Sequence, residues 1–238
     1  MILYPAMDLM GGRCVRLAQG RFDDQTVYSA EPAEALRGFA AAGATWAHVV
    51  DLDGARAGAP LQHDLLCELA SANILKLQVA GGIRSRDHIA RLLDAGVGRV
   101  VIGSLAVKDP GAVRGFLAEF GGDRLTLALD VNLVDGVPLV ATAGWTESSG
   151  KSLWDVAADY PEARHLLVTD IGRDGMMGGP NQELLGEAVQ RLPHLAVQAS
   201  GGVSSLDDLT RLTTAGAIVG KALWEGKIDL AEAVRACT

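Results

Sequence analysis

Short apolar runs recur along the chain at Ile2–Met7, Trp46–Asp51, Leu75–Ala80, Arg99–Gly103, Leu125–Asp130, His165–Asp170, Leu195–Ser200 and Ala217–Gly220. Most are continuously apolar instead of alternating, the pattern of strands covered on both faces in a parallel sheet. Segments with helical spacing separate them, at Pro32–Ala42, Leu61–Ala70, Arg86–Ala95, Pro110–Phe120, Lys151–Asp159, Gln182–Arg191, Leu206–Thr213 and Leu230–Ala236. The punctuation agrees with this reading. Pro32 and Pro110 stand at helix starts, where a missing N–H costs nothing. Gly43, Gly96 and Gly216 follow helix ends as left-handed closing residues, and Ser205 and Asp208 have the spacing of a capping box. Strand and helix in strict alternation, eight times over, predict either a closed (β/α)8 barrel or a doubly wound open sheet.

A repeat chooses between them. Gln78-Val79-Ala80-Gly81-Gly82-Ile83-Arg84-Ser85 returns as Gln198-Ala199-Ser200-Gly201-Gly202-Val203-Ser204-Ser205. Each copy then runs through a helix-like segment to a short apolar strand ending in glycine, Gly103-Ser104 in the first and Gly220-Lys221 in the second. Two equal halves of four units close naturally into eight, so the expectation is one (β/α)8 TIM barrel over residues 1–238, built from half-barrels at about 1–122 and 123–238. No Gly/Ser linker marks a domain boundary. The longest irregular segments, Gly11–Ala30 and Val131–Gly150, follow the first and fifth strands and read as long functional loops.

Composition narrows the partners. A net charge of −8 gives no broad basic field for nucleic acid. Cys14, Cys67 and Cys237 form no CxxC pair, which speaks against a metal site or a disulfide framework and fits a reducing compartment. The N-terminus has neither a basic leader nor a long apolar run, so a cytoplasmic chain with no membrane partner is expected. No apolar helix face demands an assembly, and a monomer is expected.

In a barrel of this kind chemistry gathers at the C-terminal ends of the strands. Asp8 and Asp130 stand there, 122 residues apart and each before a long segment, not before a helix. Two carboxylates facing one cavity suit acid–base work, one ionised as base and one protonated as acid. Asp51 and Asp170 form a second matched pair, for which a cap or turn role competes with substrate contact. Gly-Gly turns running into helices present backbone N–H groups to an anion. The two in register, Gly81-Gly82 with Gly103-Ser104 and Gly201-Gly202 with Gly220-Lys221, predict a substrate with a phosphate at each end.

These stretches, with Pro5-Ala6-Met7-Asp8-Leu9, Val15-Arg16-Leu17, His48 to Ala55, Gly144-Trp145 and Thr169 to Gly175, resemble the phosphoribosylformimino aminoimidazole carboxamide ribotide isomerases of histidine biosynthesis over essentially the whole chain. The resemblance implies an Amadori rearrangement of a bisphosphorylated aminoaldose to its aminoketose, with no metal or redox cofactor. It makes Asp8 the base that removes the C2′ proton and Asp130 the acid that protonates the ribose ring oxygen. Thr169 and Asp174 match positions that hold sugar hydroxyls and support the acid, and Trp145 matches the tryptophan that covers the aminoimidazole. Arg84, His48 and Asp51 complete the expected substrate-binding set, although strand alternation puts His48 and Asp51 on opposite faces. Two departures stand out. Ala143 replaces an arginine carried by relatives that also isomerise phosphoribosylanthranilate, which argues for a single substrate. Gly175-Met176-Met177 replaces the usual Gly-Thr-Leu. The rivals are a bifunctional isomerase, the cyclase subunit of imidazole glycerol phosphate synthase and a phosphate-binding regulatory barrel without catalysis.

Overall fold

The computed structural model describes residues 1–18, 21–29, 31–142 and 144–237, with side chains except at 16–18, 21–25 and 29. Its twelve described strands are β1 (Ile2–Met10), β2 (Arg13–Ala18), β3 (Arg21–Ser29), β4 (Trp46–Asp51), β5 (Lys76–Ala80), β6 (Arg99–Ile102), β7 (Leu125–Val134), β8 (Val137–Thr142), β9 (Glu147–Ser152), β10 (His165–Asp170), β11 (Ala196–Ser200) and β12 (Gly216–Val219). Eight of them pair in parallel in the order β1-β4-β5-β6-β7-β10-β11-β12, and β12 returns to β1, so the sheet closes into a barrel. β1 and β7 lie four places apart in this ring and therefore face each other across it.

Alternation along each strand sorts the residues. Leu3, Met7 and Leu9 of β1 and Leu125, Leu127 and Leu129 of β7 point outward into the layer beneath the helices, where all are buried. Tyr4, Ala6, Leu167, Ile218 and Ala128 pack inside the barrel. Asp8 and Asp130 share the inward parity of Ala6 and Ala128, so period-2 geometry aims both carboxylates into the interior. The outward layer is the main source of stability, since burying a leucine stabilises by about 1.5–3 kcal/mol.

The expected strands all occur, and the expected helices occur with ends shifted by a few residues; Lys151–Asp159, for example, narrows to Leu153–Ala158 behind a capping box from Ser152 and Asp155. The Ser205–Asp208 box and the N-terminal prolines are also present. The two long segments are different from loops. β1 and β7 run on past their aspartates into antiparallel hairpins, β1–β2–β3 and β7–β8–β9. Exposed Leu133, Val134 and Val137 flank the Asp135-Gly136 turn of the second, and only its end nearer the barrel, at Val131, Val140 and Ala141, is buried. Gly216 is likewise no helix closer: it lies in β12, where a Cβ would stand 2.8 Å from the Tyr4 ring. Gly43 and Gly96 do take positive φ.

At the opposite end of the barrel His165 is mostly buried, and its pKa is pushed down to about 4 by burial and by the Arg99 charge, against a weaker pull from Asp123. A depressed histidine pKa means that the unfolded chain binds the proton first, so stability falls as pH drops from about 6.5 toward 4. The loss from His165 is on the order of 3 kcal/mol. Urea unfolding at pH 7 and pH 4.5 should show a smaller acid loss in His165→Gln than in the wild type; equal losses would contradict the assignment.

Candidate active site

One cavity opens at the C-terminal ends of the barrel strands, lined by Asp8, Asp130, His48, Trp145, Thr169, Asp174, Gly201, Gly202, Gly220 and Lys221 among the expected residues. Thr169 is the register partner of Asp130 on the neighbouring strand, and its hydroxyl bonds that carboxyl. The Trp145 indole N–H donates to Asp130 Oδ2 at 2.8 Å. Trp145 holds this place with φ 74°, a left-handed conformation that costs a large side chain about 1–3 kcal/mol and persists only where the surroundings impose it. Burial raises the pKa of Asp130, the bonds from Trp145 and Thr169 pull it back, and the charge of Asp174 adds to the rise. The net upward direction is what a proton donor requires.

Asp174 is carried by a loop that Asp170 organises. Asp170 accepts from Gly172 N–H at 2.9 Å and from Asn181 Nδ2 at 2.7 Å, and its carbonyl accepts from Asp174 N–H at 3.0 Å. Lys221 Nζ donates to Gly175 O at 3.0 Å, joining that loop to the second glycine cradle.

Asp51 does not line the cavity. It ends β4 on the outward parity, fully buried, and accepts from Gly54, Leu61 and Gln62 N–H and from Gln62 Nε2 at 2.8–3.0 Å. Both oxygens are therefore committed to the chain. Through Gln62, which donates to Leu9 O and accepts from Gly12 N–H, Asp51 braces the base of the first hairpin beside Asp8. Arg84 also stays outside, its guanidinium lying against Gly58. Gly81, Gly82, Gly103 and Ser104 are absent from the cavity lining, whereas Ala80 and Val101 just before them belong to it. Ala143 lies outside the described residues.

The glycine pairs have a packing reason as well. All four have positive φ. A Cβ on Gly82 would stand 2.7 Å from Gly54 O and Ala59 C, and one on Gly202 would collide with the Gly179 carbonyl. Each pair lets the preceding βα loop cross close to the turn. Gly202→Ala should therefore destabilise by more than the roughly 1–3 kcal/mol of the φ penalty alone. Chemical denaturation measures this, and a loss under about 1 kcal/mol would contradict it.

Missed in the sequence were Gln78, Gln198 and Thr126, a buried polar set beneath the cavity. Two of the three are the first residues of the two repeat copies, so the signal was in view. Among the described residues no cluster of three or more His, Cys, Asp or Glu could hold a metal, and no helix is long and apolar enough to cross a membrane.

A family model described as histidine biosynthesis protein matches residues 2–229. A relative from Maricaulis maris (strain MCS10) is 50% identical over 239 residues, with 98% of each chain covered. One from Stenotrophomonas maltophilia (strain R551-3) is 48% identical at the same coverage. One from Elusimicrobium minutum (strain Pei191) is 42% identical over 98% of this chain and 99% of its own. All three are named 1-(5-phosphoribosyl)-5-((5-phosphoribosylamino)methylideneamino) imidazole-4-carboxamide isomerase.

Proposed function

The chain belongs to the histidine biosynthesis protein family, and from that premise we propose that it isomerises the compound its relatives are named for, with Asp8 as base and Asp130 as acid. The observation that carries the assignment of roles is the pairing of two inward carboxylates across one barrel mouth, of which Asp130 has the raised pKa.

Protonated Asp130 gives its proton to the ribose ring oxygen, the C1′–O bond breaks, and the lone pair of the attached nitrogen forms the C=N bond. Asp8 then takes the C2′ proton, and the electrons of that C–H bond make the enolamine. Loss of the C2′ hydroxyl proton and protonation at C1′ complete the aminoketose. C1′ gains the electrons that C2′ loses, so the reaction balances internally. Thr169 and Trp145 hold Asp130 in one rotamer. Asp174, which raises the pKa of Asp130 and lines the same cavity, is assigned a sugar hydroxyl.

The relatives' substrate has two phosphoribosyl groups, hence two phosphates. One is assigned to Gly201, Gly202, Gly220 and Lys221 at the cavity edge. Ser204 and Ser205 N–H groups already donate to Asp208, so the phosphate takes its donors from Gly202–Val203 and from the backbone after Gly220. The other is assigned to the matching turn, Gly81-Gly82 with Gly103-Ser104, next to lining residues Ala80 and Val101. The test is incubation with the aminoaldose and chromatographic detection of the aminoketose. No conversion would defeat the proposal, and parallel conversion of phosphoribosylanthranilate would defeat the single specificity read from Ala143.

A further inference from the structure

Beneath the cavity floor four buried polar side chains form one connected set. Gln78 and Gln198 exchange amide hydrogen bonds across the barrel, Gln78 Nε2 to Gln198 Oε1 at 2.8 Å and Gln198 Nε2 to Gln78 Oε1 at 3.1 Å. Thr126 Oγ1 donates to Gln78 Oε1 at 3.1 Å, and Gln78 Nε2 lies 3.2 Å from His48 Nδ1. His48 and Gln78 are register partners on adjacent strands, and His48 lines the cavity.

Valence sets the direction of these bonds. Turning the Gln78 amide over would point its N–H at the Thr126 oxygen and leave that fully buried hydroxyl to find another acceptor, and Gln78 is its hydrogen-bond partner in the described structure. A buried donor left unmade costs about 1–3 kcal/mol. The amide therefore presents Nε2 to His48, with two donors and two acceptors all used. His48 Nδ1 must then accept. Burial pushes the His48 pKa down to about 4, so the ring is neutral at pH 7 and its one proton sits on Nε2.

We propose that Gln78, braced by Gln198 and Thr126, is a positioning residue that holds His48 as the Nε2–H tautomer, so that a neutral imidazole N–H donates to a substrate oxygen in the cavity during isomerisation. The donor role rests on the isomerase reading above; the tautomer does not. His48 stands on β4, beside the strand that carries Asp8, so its neutral N–H serves a substrate oxygen on the base's side of the cavity. The two glutamines occupy the same place in the two repeat copies, and each satisfies the amide of the other.

The experiment uses the full chain labelled with ¹⁵N-histidine. Long-range ¹H–¹⁵N spectra at pH 7 should show His48, assigned by its loss in His48→Asn, as the neutral Nε2–H form. In Gln78→Glu the new carboxylate can only accept, so the ring should gain a proton on Nδ1; the neutral Nδ1–H form loses its Nε2 donor, with kcat down on the order of 10²-fold and KM little changed, whereas an imidazolium keeps that donor. Gln198→Met, one bond further away, should give a mixed tautomer and a smaller loss of kcat. Should Gln78→Glu fail to fold or hold an imidazolium, the wild-type spectrum and Gln198→Met decide. A wild-type ring that is Nδ1–H or charged at pH 7 overturns the proposal, as does wild-type kcat in a Gln78→Glu chain whose His48 is neutral Nδ1–H. A wild type with the Nε2–H tautomer but without turnover would sink the isomerase reading and the donor role while upholding the tautomer.

Discussion

Asp130→Asn should lower kcat by about 10²–10⁴-fold, the usual worth of a positioned general acid, and at the same time resist unfolding better than the wild type at pH 7. The two effects have one cause. Burial and the charge of Asp174 hold the Asp130 pKa above that of an unfolded-chain aspartate. A carboxyl with a raised folded pKa favours the folded state while protonated and loses that advantage as pH rises through the folded value. At pH 7 an unfolded-chain aspartate is ionised, so folding must either protonate this carboxyl or desolvate its charge, and both cost stability. Asparagine keeps the shape and an oxygen for the Trp145 indole N–H, which lies 2.8 Å away, but has no proton to give to a ring oxygen. Steady-state kinetics with urea unfolding at pH 7 checks both halves. Activity within tenfold of the wild type would remove Asp130 from the mechanism, and lowered stability would mean that the Trp145 and Thr169 bonds outweigh the desolvation.

Asp8→Asn should cost as much in kcat, again about 10²–10⁴-fold, but at a different step. Asp8 sits on the inward face of β1 opposite Asp130, and its loss leaves ring opening intact while the C2′ proton stays in place. Isothermal titration should give aminoaldose binding within a few-fold of the wild type, because the phosphate contacts are elsewhere. A variant that fails to bind would show that Asp8 holds the substrate more than it reacts with it.

Much of this was legible in the sequence, for identifiable reasons. The barrel strands announce themselves because both faces are buried, so Leu125–Leu129 has only Thr126 as a polar position and no alternation to break the run. The aspartates stand out because Asp8 and Asp130 are polar residues at matched places where apolar ones are the rule. The hairpins after them were not legible, since exposed Leu133, Val134 and Val137 interrupt the buried positions at the turn. The short helix Leu52–Ala57 is held by Asp51 accepting from Gly54 N–H, a contact that propensity does not announce. Gly216 looked like a helix end because Ala-Gly usually is one; contact with the Tyr4 ring decided otherwise. Asp51 illustrates a rule applied only halfway: alternation put it opposite His48, and the structure uses it outside the cavity as a cap. Gln78 and Gln198 were passed over because the glycines that follow them drew the functional reading. Which aspartate is base and which is acid came from the family resemblance, and the raised pKa of Asp130 supports that order.

The central claim is that Asp8 removes the C2′ proton of a substrate whose ring Asp130 has opened. Substrate deuterated at C2′ tests it directly when the wild type and Asp8→Asn are run in ordinary water and deuterium release is followed by mass spectrometry. The wild type should release the label at the rate of turnover, and Asp8→Asn should bind the substrate and retain it. Release from Asp8→Asn at the wild-type rate would contradict the account.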